Sequence, residues 1–296
     1  MSPYLVAVII SASMLATIGI IAVYASHTYI DGQVWEDCAG CYRPNQKVTA
    51  EKAGEYAWTR GDSVGHYLLP TATTELYYVD AMKADHTRDR VWPHGGQTAA
   101  DMEIFDRGHP NVRWKVAWDA STAVTRSEAV NWLMSAEGWF LEEHSINWNE
   151  WWAENAFLSA DAANNCGSVL LDMAGDVGWD PGDDFDGAQI LIGFTEENWS
   201  GTVGGCATPA PSTGGTHPYM LVNVAEWNDI AMIVMHEVSH AYGLPDRSCS
   251  PTCGNRYPGI MWDLSTPPNI LIKNWDPFDD NTMEQNRWWY CPTCYQ

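Results

Sequence analysis

The sequence predicts an α+β fold, and three observations carry that expectation. Two stretches, Ser127 to Glu143 and Asp229 to Tyr242, space their apolar residues with a helical period. Five short segments between Val112 and Ala225 are rich in β-branched and aromatic residues or alternate apolar with polar ones, as strands do. At the N-terminus, Tyr4 to Ala25 is an uncharged apolar run, long enough to cross a bilayer, which takes about 20 residues.

Taken in order, residues 1–25 read as a transmembrane anchor or a signal peptide. No Lys or Arg precedes the run, so charge bias gives little orientation, and Val23-Tyr24-Ala25 before Ser26 is an acceptable cleavage site. Either reading exports the remainder, to the cell surface or beyond it. Residues 26–105 form an N-terminal extension: a pro-segment, a stalk or an added layer. One helix is predicted around Thr49 to Trp58, and Thr71 to Met82 suits a strand or a short helix. From residue 106 to 296 the pattern sharpens. Val112–Trp118 is a strand. The helix from Ser127 follows, with Ala129, Val130, Leu133, Trp139 and Phe140 on its apolar positions. Ile146–Trp152 alternates as a half-buried strand, Ala188–Thr195 is an apolar strand, Gly201–Thr208 is short and Gly-rich, and Tyr219–Ala225 is the last. The second helix carries Ala231, Val234, Met235 and Val238 on its core face.

Acidic residues outnumber basic ones 38 to 15, for a formal charge of −23. Such a chain repels phosphates, which excludes a nucleic-acid partner. The eight cysteines fit an exported, disulfide-bonded protein. Cys166 can pair with Cys206, and Cys249 with Cys253. The C-x-x-C pairs Cys38/Cys41 and Cys291/Cys294 have the spacing of a four-thiolate zinc site, but their distance in sequence favours oxidised pairs. Neither is followed by His, so haem attachment is not indicated. Asp180, Asp183, Asp184 and Asp186 crowd one turn; they can hold Ca²⁺ or stand as a solvated acidic loop.

The chemistry concentrates in His236–Asp246, HEVSHAYGLPD. Histidines four apart lie on one helix face, about a turn apart, so His236 and His240 can reach one Zn²⁺. Glu237, beside the first ligand, can act as general base without binding the metal. Gly243 accepts the left-handed turn that ends the helix, and Pro245 prevents its resumption. That turn returns Asp246 as a third ligand, leaving a fourth position for water or substrate.

HExxHxxGxxD resembles the zinc signature of the metzincin metalloendopeptidases, in the snapalysin-like variant with Asp as third ligand. The resemblance implies a twisted, mixed five-stranded sheet, a long helix, a zinc-site helix and a downstream Met turn. Tyr257-Pro258-Gly259-Ile260-Met261-Trp262 would supply that turn, with Met261 as an apolar floor under the metal. Some members carry Tyr two positions past this Met; here Asp263 stands there, so a tyrosine ligand or oxyanion donor is not implied. The fourth strand would line the cleft and pair with an extended substrate, which places Thr202, Val203, Gly204, Gly205 and Cys206 against the peptide.

The expected function is an exported zinc endopeptidase acting on peptides or proteins. A thermolysin-like plan needs a third-ligand Glu on a later helix, and Glu284, read as part of a short tail, does not supply it. The rival is a non-enzymatic membrane-anchored or filament-forming surface protein with a structural zinc. Glu237 discriminates between them, because a structural site gains nothing from a base. The pattern carries no information on oligomeric state or cleavage specificity.

Overall fold

A computed structural model describes residues 28–36, 43–52, 55–159, 165–180, 188–197, 204–208, 217–225, 229–247, 259–261 and 275–290. The apolar run 4–25, Thr202 and Val203, the acidic residues Asp183, Asp184 and Asp186, and Cys38, Cys41, Cys249, Cys253, Cys291 and Cys294 lie outside them. Among the described residues no helix is long and apolar enough to cross a membrane. The chain divides into two compact units, Met1–Ala81 with Asp89–Ile104, and Met82–Arg88 with Phe105–Gln296.

The first unit is built of strands. They are β1 (Thr28–Trp35), β2 (Lys47–Lys52), β3 (Glu55–Arg60), β4 (His66–Thr71), β5 (Tyr78–Met82), β6 (Asp89–Val91) and β7 (Met102–Glu103). They form two sheets, in the orders β4-β1-β7 and β3-β2-β5-β6, around Ile30, Val34, Val48, Tyr67, Leu69 and Val79. The helix expected at Thr49–Trp58 is instead the antiparallel pair β2/β3, with Thr49 opposite Trp58 and Ala50 opposite Ala57. Ala, Glu and Lys give that window helical propensity. Residues 47–51 are nevertheless buried one after another, so β2 shows no alternation, and sheet pairing overrides local preference.

The second unit is mixed α+β. Its strands are β8 (Asn111–Asp119), β9 (Asn147–Phe157), β10 (Ile190–Thr195), β11 (Gly205–Ala207) and β12 (Tyr219–Asn223). Its helices are α1 (Arg126–His144), α2 (Cys166–Asp176), α3 (Ile230–Ala241) and α4 (Pro277–Asn286). The five strands form one sheet in the order β11-β12-β10-β8-β9. β9, β8, β10 and β12 run parallel, and β11 pairs antiparallel with β12. Parallel neighbours need crossover connections, and α1 provides the one between β8 and β9. Thr125 and Glu128 close a reciprocal capping box at its start, and Ser145 ends it in the left-handed region, with φ 51°.

Both faces of this sheet are covered, which explains why Ile190–Thr195 is buried at every position. Ile190, Ile192 and Phe194 face the core made with α1 and α3, and Leu191 faces a second core made with α2. Gly193 leaves room for Met173 of α2: a Cβ there would stand 2.0 Å from its sulfur. Helix α2 was not anticipated. Two glycines depress its propensity, although Asn165 caps it, accepting from the Ser168 amide at 3.0 Å.

Of the expected disulfides, Cys166–Cys206 is formed and ties α2 to the edge strand β11 across a sequence separation of 40. Loop-closure entropy for that length stabilises by about 4 kcal/mol at most. Replacing both cysteines with Ser should therefore lower unfolding stability by about 3–4 kcal/mol, read from guanidinium denaturation of the full chain.

Candidate metal centre

Helix α3 is buried almost all round, which fixes its rotation and therefore where its polar residues point. It closes at Gly243, at φ 89°. A Cβ there would also meet Asn286 at 3.1 Å and Trp289 at 3.2 Å, so backbone conformation and packing both demand glycine.

His236 and His240 are half-buried, with ring centroids 4.8 Å apart and nearly perpendicular planes. Each Nδ1 is committed to a backbone carbonyl: His236 to Ile260 at 2.9 Å, His240 to Leu244 at 2.7 Å. An N–H donated at Nδ1 leaves Nε2 as the lone-pair nitrogen a metal needs. Both Nε2 atoms face Oδ1 of Asp246, at 3.1 Å and 3.4 Å. A tetrahedral zinc with ligand distances of about 2.05 Å has ligand-to-ligand edges of about 3.3 Å. The three predicted ligands thus converge with spacings that fit such an ion, and they form one of the groups able to hold a metal.

Glu237 is 3% exposed. Its carboxylate lies against the edge strand, where a Cβ on Gly205 would stand 2.7 Å from Oε1. Its Oε2 is buried and has no hydrogen-bond partner among the described residues. An orphaned buried carboxylate oxygen is costly and calls for an explanation. Burial raises the carboxyl above its ordinary range, while the two imidazoles pull it back. Asp246, itself exposed, is held well below the usual range by hydrogen bonds to His236 and His240. Burial presses the His236 imidazole toward neutrality, but Asp246, Glu237 and the Ile260 carbonyl outweigh it and lift it to about 9.

Of the predicted Met turn, Gly259, Ile260 and Met261 are described, and Met261 is fully buried in the core that holds α3. Of the predicted substrate strand, Gly204, Gly205 and Cys206 lie on or beside β11, with the Gly204 carbonyl accepting from the Asn223 amide at 2.8 Å. β11 is the outermost strand of its sheet.

Glu143, His144 and Asp280 form a second, wholly buried group able to hold a metal. Arginines surround it. Arg88 pairs with Asp280, Arg107 binds Glu284 at 2.6 Å, and Glu284 accepts from His144 Nδ1 at 3.2 Å. With guanidinium groups already opposing the carboxylates, this cluster is an internal ion network. Glu284 therefore sits on α4, not in a tail, and its carboxylate is engaged away from His236 and His240. Neither this network nor α4 was read from sequence; the caps Asp276 and Pro277 were the available signal.

Neither a protein-family profile nor a curated protein matches the chain. Solved structures with partial likeness include two mutants of a type II cohesin–X-dockerin complex from Acetivibrio cellulolyticus. One has TM-score 0.22 and 14% identity over 27% of this chain and 58% of the other. The second has TM-score 0.20 and 16% identity over 26% and 51%. A 9R-lipoxygenase from Cyanothece has TM-score 0.20 and 10% identity over 28% and 17%.

Because the His236 proton must leave before a metal can bind, zinc uptake should release at least one proton per ion. Apparent affinity should rise about tenfold per pH unit between about pH 6 and 8, measured by calorimetry in buffers of differing ionisation heat. A flat profile would mean that no proton of His236 is displaced by the metal.

Proposed function

We propose that the chain is a zinc-dependent endopeptidase of metzincin type, with His236, His240 and Asp246 as ligands and Glu237 as general base. The observation that carries this reading is the buried Oε2 of Glu237, without a hydrogen-bond partner among the described residues, on the residue that follows the first of three converging ligands. A structural zinc site leaves that carboxylate without a task. The mixed five-stranded sheet with an antiparallel edge strand, and the buried Met261 beneath the helix, support the same reading. The disulfide agrees with an exported chain, secreted or anchored through residues 4–25.

Zinc held there would supply Lewis acidity, polarising a scissile carbonyl and bringing the pKa of water toward 7. Glu237 accepts the proton of the attacking water and returns it to the departing amine nitrogen. Burial raises its affinity for protons, the direction that favours taking one from water. The peptide lies antiparallel along the outer edge of β11, where main-chain bonds hold it in register. Gly205 keeps that edge low enough for backbone and carboxylate to share the space.

Glu237→Gln should retain zinc while casein hydrolysis falls by about 10²–10⁴-fold, followed by metal analysis and peptide release on the same preparation. Asp246→Ala should lose zinc on dialysis, since two histidines do not complete the site. Zinc bound by the parent chain with no hydrolysis of casein would replace the enzyme reading with a structural one.

A further inference from the structure

Of the three proposed ligands, Asp246 has the least support of its own. His236 and His240 ride on a buried helix, whereas the Asp246 side chain is 69% exposed and follows the helix end. The backbone bonds holding this turn lie before it, from Gly243 N to the His240 carbonyl at 2.9 Å and from Leu244 N to the Ser239 carbonyl at 3.2 Å. What holds the carboxylate in place comes from the next residue.

Arg247 makes two anchors. Its amide donates to the Met261 carbonyl at 2.9 Å, and its guanidinium donates from Nε at 2.9 Å and Nη2 at 2.7 Å to Oδ1 of Asp279. Asp279 is fully buried in the first turn of α4. That turn is itself set by Asp276, which accepts from the amides of Phe278 at 2.8 Å and Asp279 at 3.0 Å. Asp276 also closes on Gly259, where a Cβ would stand 3.0 Å from its backbone nitrogen. The next residue, Ile260, presents the carbonyl that orients His236. The start of α4 therefore braces two ligands, one through Arg247 and one through the turn at Gly259–Met261.

Resting on the metal centre proposed above, we propose that Arg247 and Asp279 are positioning residues for the zinc site. They form a clamp that holds Asp246 at the distance its ligand role requires, without touching metal or substrate. The planar guanidinium matters here, because two donors from one rigid group fix direction as well as distance. Lysine keeps the charge but not the fork.

The test uses the full chain and Zn²⁺ alone, with affinity measured by competition against a chromogenic chelator. Arg247→Ala and Asp279→Asn should each weaken zinc binding by about 10–100-fold, the range typical of residues that orient metal ligands. Arg247→Lys should recover only part of that loss. The double variant should bind about as poorly as the worse single one, because both changes break the same clamp. Co²⁺ bound to either variant should show an altered visible spectrum, which a merely structural role would not produce. If Arg247→Ala fails to fold, the isosteric Asp279→Asn decides the matter. Parental affinity and spectrum in Asp279→Asn, with Asp246→Ala losing the metal, would overturn the clamp and leave the centre standing. Equal binding by the parent and Asp246→Ala would remove the centre itself, and the clamp with it.

Discussion

Two imidazoles on one helix can address one ion only if each ring turns an unprotonated nitrogen to the same point. That constraint organises the second unit. The Ile260 and Leu244 carbonyls, one from a distant turn and one from the helix's own exit, each take an Nδ1 and leave the Nε2 atoms converging. For these carbonyls to be in place, α3 must be rotated correctly in the core, the helix must stop at Gly243, and the chain must return at Gly259–Met261. Sheet, helix and turn all serve that arrangement.

The interior behind the centre is unusually charged. His144 at the end of α1 lies edge-on to Trp275, with centroids 4.6 Å apart, and the Trp275 indole donates at 2.8 Å to Ser239 Oγ, which precedes His240 on α3. Ser239 Oγ in turn donates to the Met235 carbonyl at 2.6 Å, one turn back along the helix. An ion network of Arg88, Arg107, Asp280 and Glu284, buried at the Arg88–Asp280 pair and partly exposed at Glu284, lies beside His144. Burial pushes Asp280 up and His144 down, since neither charged form is well solvated there. Burial also opposes ionisation of Glu284, but His144 and Arg107 hold it well below the ordinary range. Interior pairs of this kind contribute little net stability but fix geometry strongly when broken partners are so costly.

What was legible in sequence follows from where the physics is local. The spacing of His236, His240, Gly243 and Asp246 is dictated by helix geometry and a turn, so the convergence of His236, His240 and Asp246, one of the groups able to hold a metal, was readable from a dozen residues. The strands of the second unit were readable because β-branched and aromatic residues cluster there. Hidden features depend on distant partners. β2 is buried at successive residues and lost its alternation, so Thr49–Trp58 looked helical. The glycines of α2 concealed a helix stabilised by packing of Met173 over Gly193. The partnership of Arg247 with Asp279 has no sequence signature, because the residues that surround it are brought together only by the fold.

Among the described residues β11 is the outermost strand of its sheet, the place where an extended chain, including another copy of the same protein, could pair. Long flat edges of that kind seed aggregation. β11 is only three residues long, and Cys206 ties it to α2 through the bond to Cys166. A chain carrying a charge of −23 also repels its own copies at distance. Brevity, covalent anchorage and like charge each work against self-assembly along such an edge.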